Sequence, residues 1–291
     1  MATTARTTVA EPLGRRFAIP DHMDKHKLFG FTDVDQTQDP DYYIRFLDEA
    51  GADESFQAYK RHTFALLDIQ PGQRVLDVGC GTGADACAMA RRVAPGGCVV
   101  GVDGSHAMIA TAQRRAEGCG LPVEFQAGDA HRLAFADDSF DASRADRIFM
   151  HLDSPAQALR EMMRVTRPGG RVLVYEVDFE TMTLDMPDRM RTRKVLQMWC
   201  DGFRNGWLGR HVPELFRAAG LQDVHITPAT LWLRYPAAMQ MVGPGTVERA
   251  CAAGILTPGE GEEWLRQLEE KHEAGLLFCT LTGFLVVGRK P

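Results

Sequence analysis

Residues Arg74 to Ala90, RVLDVGCGTGADACAMA, place a run of apolar residues directly before a glycine cluster and an alanine-rich segment. Arg74 to Val78 predicts a short buried β-strand, and Ala84 to Ala90 predicts the start of a helix. Strand, glycine turn and helix form the crevice in which open α/β sheets hold nucleotide-like ligands. The spacing Gly79-x-Gly81-x-x-Ala84 also satisfies the dinucleotide fingerprint, so the glycines alone do not choose the ligand.

Asp77 begins to separate the readings. A dinucleotide brings a pyrophosphate to this turn, where a carboxylate at the strand end would repel it. S-adenosylmethionine (SAM) brings an ammonium group instead, which the carboxylate would attract. At VLDVGCGTG the sequence resembles motif I of the class I SAM-dependent methyltransferases, with Asp77, Gly79, Cys80, Gly81 and Gly83 at the cofactor positions.

The resemblance continues in order along the chain, closely over about residues 71–179. A second apolar strand ends at Asp103, an acid about 20 positions beyond the turn and suited to bidentate hydrogen bonding of ribose hydroxyls. By family position Gly104 and Met108 flank the adenine, Gly128-Asp129-Ala130 read its amino group, and Arg144 and Asp146 sit beside the methionine end, where Arg144 is a candidate partner for its carboxylate and which side chain points inward stays open. The strand Phe140 to Ala145 and a strand after the Pro168-Gly169-Gly170 turn complete the series. The resemblance implies a Rossmann-like seven-stranded α/β sheet with its last strand antiparallel, SAM as cofactor and S-adenosylhomocysteine (SAH) as product. It is nearest the ubiquinone/menaquinone-type group and the enzymes that tailor secondary metabolites.

The 291 residues suffice for one α/β domain with covers. A net charge of −6 argues against a nucleic-acid substrate, which normally wants a basic face. The segment ADRIF also stands where amino-methylating enzymes of nucleic acids carry Asp/Asn-Pro-Pro-aromatic. A small-molecule substrate is therefore expected. Seven cysteines with no C-x-x-C pair read as reduced thiols of a cytoplasmic protein. No apolar run reaches the roughly 18 residues of a membrane span. His22 and His26, spaced i, i+4, lack further ligands, and no metal is expected.

The chain divides into a flexible tail (1–23), an N-terminal helical lid (24–70), the cofactor-binding core (71–180), a helical cap insertion (181–210) and the rest of the core (211–291), itself interrupted by a helical insertion over 236–274. The lid helices can pack on their own sheet or swap onto a neighbour's in a homo-oligomer; both arrangements stay open. Tyr42, Tyr43 and Phe46 are candidates to close over the cofactor, or core contacts between lid and sheet. Trp199, Phe203 and Trp207, at i, i+4 and i+8, predict one aromatic helix face, read as a wall for a flat or apolar acceptor or as cap packing. His211 is a further substrate-contact candidate.

Methyl transfer needs alignment, exclusion of water and, for a phenol or carbon acid, a base. His151, in RIFMHLDSP, stands where small-molecule relatives place a histidine facing the methyl group, and its ordinary pKa suits proton removal. Glu176 and Asp178 at the end of the fifth strand fall on one side by alternation and are the next candidates. Two other functions stay open on the same fold: a cyclase that uses the cofactor's charge without spending its methyl group, and a non-catalytic SAM-binding partner.

Overall fold

The computed structural model describes residues 27–291. The expected tail over 1–23, with His22, and His26 lie outside the described residues. Five apolar strands form the parallel part of the sheet: β1 (Arg74–Val78), β2 (Cys98–Asp103), β3 (Val123–Ala127), β4 (Phe140–Asp146) and β5 (Thr166–Leu184). Two antiparallel strands, β6 (Gln222–Trp232) and β7 (Cys279–Arg289), complete it in the order β3-β2-β1-β4-β5-β7-β6, with β7 running against both β5 and β6. Val75, Leu76 and Val78 of β1 are fully buried, because helices cover both faces of a parallel sheet.

Helices α3 (Ala84–Val93) and α4 (His106–Ala116) follow β1 and β2 as crossovers between parallel strands. The order reverses between β1 and β4, which opens a crevice beyond the carboxyl end of β1. There the chain folds back on β2, with Gly79 and Cys80 both donating their N–H to Val102 O, at 2.7 and 3.0 Å. Helix α5 (Pro155–Val165) leads directly into β5.

Strand β5 is longer than expected at both ends. Pro168-Gly169-Gly170 is a bulge within it rather than a turn before it: the register against β4 shifts between Phe140 and Ala142, and Gly169 and Gly170 pair with Lys290. Beyond Phe179 the strand resumes pairing at Thr183↔Thr280 because β7 reaches that far. Helix α6 therefore runs from Arg189 to Asp201, capped by Asp188, and ends before Phe203 and Trp207. The proposed single helix face through Trp199, Phe203 and Trp207 does not form, since glycines at 202 and 206 interrupt the helical path.

The lid comprises a 3-10 segment (Lys27–Gln36), α1 (Pro40–Ala52) and α2 (Glu54–Leu67). Asp39 and Asp53 cap α1 and α2 by accepting the backbone N–H of Tyr42 and Ser55. Within this single chain α2 packs on its own sheet: Tyr59 stacks on Tyr175 at 4.0 Å between ring centroids, and Arg171 Nη1 donates to Leu66 O at 2.6 Å. After α7 (Val212–Ala218) and β6, the second cover consists of α8 (Tyr235–Val242), α9 (Pro244–Ala252) and α10 (Pro258–Glu273). The Trp264 indole N–H ties α10 to α8 through Val242 O at 2.9 Å. No described helix is long and apolar enough to cross a membrane.

Leu173 sits in β5 under the lid and is fully buried. Leu173→Ala is expected to cost about 3 kcal/mol, read as a lower urea midpoint with an unchanged slope.

Candidate active site

The glycine turn is shaped by what lies beneath it. Gly79 has φ +72, and a Cβ there would collide with Ile148 beyond β4, so the backbone itself forms this part of the crevice wall. Gly83, at φ +79, caps α3 where a Cβ would come within 2.6 Å of the Phe125 ring. Asp103, at the tip of β2, accepts Gly81 N–H on one carboxylate oxygen at 2.8 Å and Ser105 N–H on the other at 2.9 Å. Burial pushes its carboxyl upward while those two bonds hold it in place.

Asp103 opens onto a cavity of about 720 Å³, which Gly79, Gly81, Gly104, Met108, Gly128, Asp129 and Ala130 also line. Cys80 and Gly83 support the turn from behind and do not line the cavity; burial pushes the Cys80 thiol well up. The Asp129 carboxylate accepts both the backbone N–H and the Nδ1 of His131, at 2.8 and 2.7 Å, and these bonds hold it below its ordinary pKa. Asp35, which sequence reasoning missed, reaches over from the lid to accept the N–H groups of His106 and Ala107 at the start of α4. Its distance of about 70 positions from α4 hid the pairing.

Arg144 is placed differently from the family-based expectation. Its guanidinium is 1% exposed and bonds to Asp77 Oδ1 at 2.8 Å, Asp85 Oδ2 at 2.8 Å and Asp146. An unpaired buried guanidinium would be costly, and three carboxylates from β1, α3 and β4 already balance the charge of this one, leaving only its Nε without a partner among the described residues. Arg144 therefore faces away from the cavity and is not available to a cofactor carboxylate. Asp77 likewise lies behind the turn; burial pushes its carboxyl up to about 6, and its Oδ2 is buried with no hydrogen-bond partner among the described residues.

At the other end of the cavity the walls become apolar. Phe179, Trp199 and Phe203 form an aromatic cluster with ring-centroid distances of 4.1 Å for Phe179–Phe203, 4.8 Å for Phe179–Trp199 and 4.9 Å for Trp199–Phe203, and all three line the cavity. Phe179 was missed, although alternation with Val177 carries the signal. Trp207 is 42% exposed and outside this cluster. His211 is half exposed beside Glu214, also away from the cavity. Tyr42 and Tyr43 are buried, Tyr43 behind Phe31 at 4.8 Å between rings, whereas Phe46 does line the cavity, together with Phe31 and Phe56.

His151 lines the cavity from a 3-10 turn, Phe149–His151, just beyond β4. Burial, with Arg147 and Arg204 nearby, pushes its imidazole down to about 4, so it is neutral at pH 7. Asn205 secures the turn by donating to Leu152 O at 2.9 Å and Phe149 O at 3.2 Å. Glu176 and Asp178 do share one side of β5, but it is the side opposite Val177 and Phe179, which face the cavity. Glu176 is buried, accepts the N–H groups of Met150 and Val177, and has its carboxyl pushed up to about 8 by burial. Asp178 is paired with Arg210. Neither reaches the cavity as a base.

Residues 69–222 match the family model described as a methyltransferase domain. The chain belongs to the SAM-dependent methyltransferases. Over 230 residues it is 40% identical to methyltransferase GfsG of Streptomyces halstedii, covering 76% of this chain and 73% of that protein. An uncharacterized 37.1 kDa protein in transposon TN4556 of Streptomyces fradiae is 38% identical, covering 84% of this chain and 71% of its own. Demethylmenaquinone methyltransferase of a Bacillus cereus strain is 36% identical over 195 residues, 60% of this chain and 82% of the relative. Among solved structures, the [4+2]-cyclase SpnF superposes with a TM-score of 0.51 and 26% identity over 81% of this chain and 82% of its own. The YcgJ protein of Bacillus subtilis shares the fold, with a TM-score of 0.54, 21% identity, and coverage of 79% and 99%.

The cofactor of this methyltransferase is SAM, and the cavity fits it. The glycine turn leaves room that a Cβ at Gly79 would fill, and Asp103 presents two anchored carboxylate oxygens on the cavity. Among the described residues no group of three or more His, Cys, Asp or Glu side chains could hold a metal ion, and all seven cysteines are free thiols.

Asp103→Ala is expected to weaken SAH binding about 100-fold by calorimetry, with the unfolding midpoint little changed. The His151 imidazole, followed by NMR, is expected to titrate near 4. Because that folded value lies below the ordinary 6.5, the unfolded chain binds more protons between the two, so this residue's contribution to stability is lost as pH falls from 6.5 to about 4. His151→Gln is expected to flatten that part of the stability profile.

Proposed function

We propose that the enzyme transfers the SAM methyl group to a small metabolite with an apolar or aromatic body, as a tailoring step of secondary metabolism. The observation that carries this reading is the single cavity, with anchored Asp103 at one end and the Phe179–Trp199–Phe203 cluster at the other, and His151 also on its wall. When bound, SAM supplies a methyl group already activated by its sulfonium sulfur. Asp103 would take the ribose hydroxyls, with Gly104, Met108, Gly128, Asp129 and Ala130 around the adenine; the turn at Gly79 and Gly81 would receive the methionine end.

The aromatic cluster then presents the acceptor, and the lid aromatics Phe31, Phe46 and Phe56 exclude water above it. His151 takes the proton that leaves the acceptor. Its imidazole is free to accept at pH 7, but a conjugate acid near 4 makes it a weak base. Removing a proton from an ordinary phenol, with a pKa of about 10, would run uphill by about 8 kcal/mol. The site therefore favours acceptors that ionise readily.

A second reading has one specific observation in its favour. The likeness to a structure named as a [4+2]-cyclase supports an enzyme that folds a substrate in the same chamber without spending the methyl group. Product mass separates the two: methyl transfer adds one methylene unit, whereas cyclisation leaves an isomer.

Incubation with methyl-labelled SAM and a metabolite extract is expected to give a labelled small-molecule product; unlabelled isomers alone would move the assignment to the cyclase. With the acceptor in hand, His151→Ala is expected to lower kcat about 100-fold while leaving SAH affinity unchanged. Equal turnover would remove the base role.

A further inference from the structure

The acceptor end of the cavity holds hydrogen-bond donors that the protein does not satisfy. Arg147, the residue after β4, has a left-handed backbone, φ +56, fixed by its N–H bond to Tyr175 O at 2.9 Å. Its side chain lies on the cavity wall, with Nε donating to Asp146 Oδ1 at 3.1 Å and the guanidinium 4.9 Å over the Phe56 ring of the lid. Its two terminal nitrogens make no hydrogen bond among the described residues.

The neighbouring acids are already engaged. Asp146 is shared by Arg144, Arg147 and the Tyr59 hydroxyl, and Asp153 is paired with Arg204 at the mouth. The carboxylates nearer the glycine turn, Asp35, Asp103 and Asp129, are held by backbone N–H groups. A molecule that fills this end therefore meets apolar walls, the His151 imidazole and the unpaired guanidinium nitrogens of Arg147 and of Arg204, whose Nη1 is held by Asp153 and His151 O. To leave no buried donor unpaired it must bring acceptor oxygens.

We propose that Arg147 is a specificity residue that binds an oxyanion of the acceptor, a carboxylate, enolate or phenolate on a flat apolar body. This rests on the reading of the aromatic end as the acceptor chamber. A charge-assisted bond inside a dry cavity is stronger than a neutral one and discriminates sharply against a neutral isostere. It also holds the acceptor in its ionised form, which lightens the demand on a weak base such as His151.

The test is calorimetric titration of the SAH-loaded full chain with 2-naphthoate and its neutral isostere 2-naphthamide, in the wild type, Arg147→Met and Arg147→Lys. The wild type is expected to bind the acid at least about tenfold more tightly than the amide. Arg147→Met is expected to bring the two within about twofold, Arg147→Lys to keep part of the preference, and SAH affinity to stay unchanged in both. Arg147→Gln gives the same information if the methionine variant does not fold. Equal binding of acid and amide by the wild type, or no binding of the acid, overturns the proposal. So does an Arg147→Met variant that loses SAH affinity yet keeps the acid preference, since Arg147 would then serve the cofactor's carboxylate. Absence of SAH binding to the wild type would count against the methyltransferase reading instead, and the acid-to-amide ratio, measured again without SAH, would still decide the role of Arg147.

Discussion

The buried guanidinium of Arg144 is the interaction on which the rest of the site depends. It stands in the middle of the sheet, and only the convergence of Asp77 from β1, Asp85 from α3 and Asp146 from β4 makes its burial tolerable. Through Lys60 on Asp85 at 3.0 Å and Tyr59 on Asp146 at 3.1 Å, the same cluster also binds the lid helix α2 to the sheet. One set of charges thus fixes the crevice between β1 and β4 and the cover above it. Removing any one member would leave another buried charge uncompensated.

That arrangement divides the cavity by chemistry. Near the glycine turn, anchored carboxylates and backbone form a polar cradle; beyond β4, the walls are aromatic and aliphatic. His151 and Arg147 extend from the few residues after β4, one neutral and one charged. The neutrality of His151 follows from its burial beside two guanidiniums, so a residue chosen for its ordinary pKa acquires a different one in place. A cation that suppresses protonation of a base also favours an anionic acceptor, and the two effects point to the same substrate chemistry.

Much of the fold was legible because its signals are local. Strand β1, the turn at Gly79 to Gly83 and the acid at Asp103 are set by short-range pattern and by backbone geometry that glycine alone adopts without strain. The cofactor end of the cavity follows from those elements, and Gly104, Met108, Gly128, Asp129 and Ala130 all line it. The aromatic end was read less well. Alternation correctly paired Glu176 with Asp178 but carries no sign, so it could not tell that Val177 and Phe179 face the cavity while Glu176 turns to the Met150 N–H and Asp178 to Arg210. Helical spacing linked Trp199 to Trp207, yet α6 stops at Asp201.

The sequence by itself determined the order of the elements, the turn chemistry and the family, because each is encoded over a few neighbouring residues. Tertiary structure alone decided which charges are spent on one another and which are left for a ligand. Arg144 and Arg147 are three residues apart, and nothing local distinguishes them. One is surrounded by Asp77 from β1, Asp85 from α3 and Asp146 from its own strand, and the other keeps two nitrogens unpaired at a cavity wall. Pairing of buried charge depends on distances between segments far apart in the chain, and those exist only once the sheet, the lid and the covers have closed on each other.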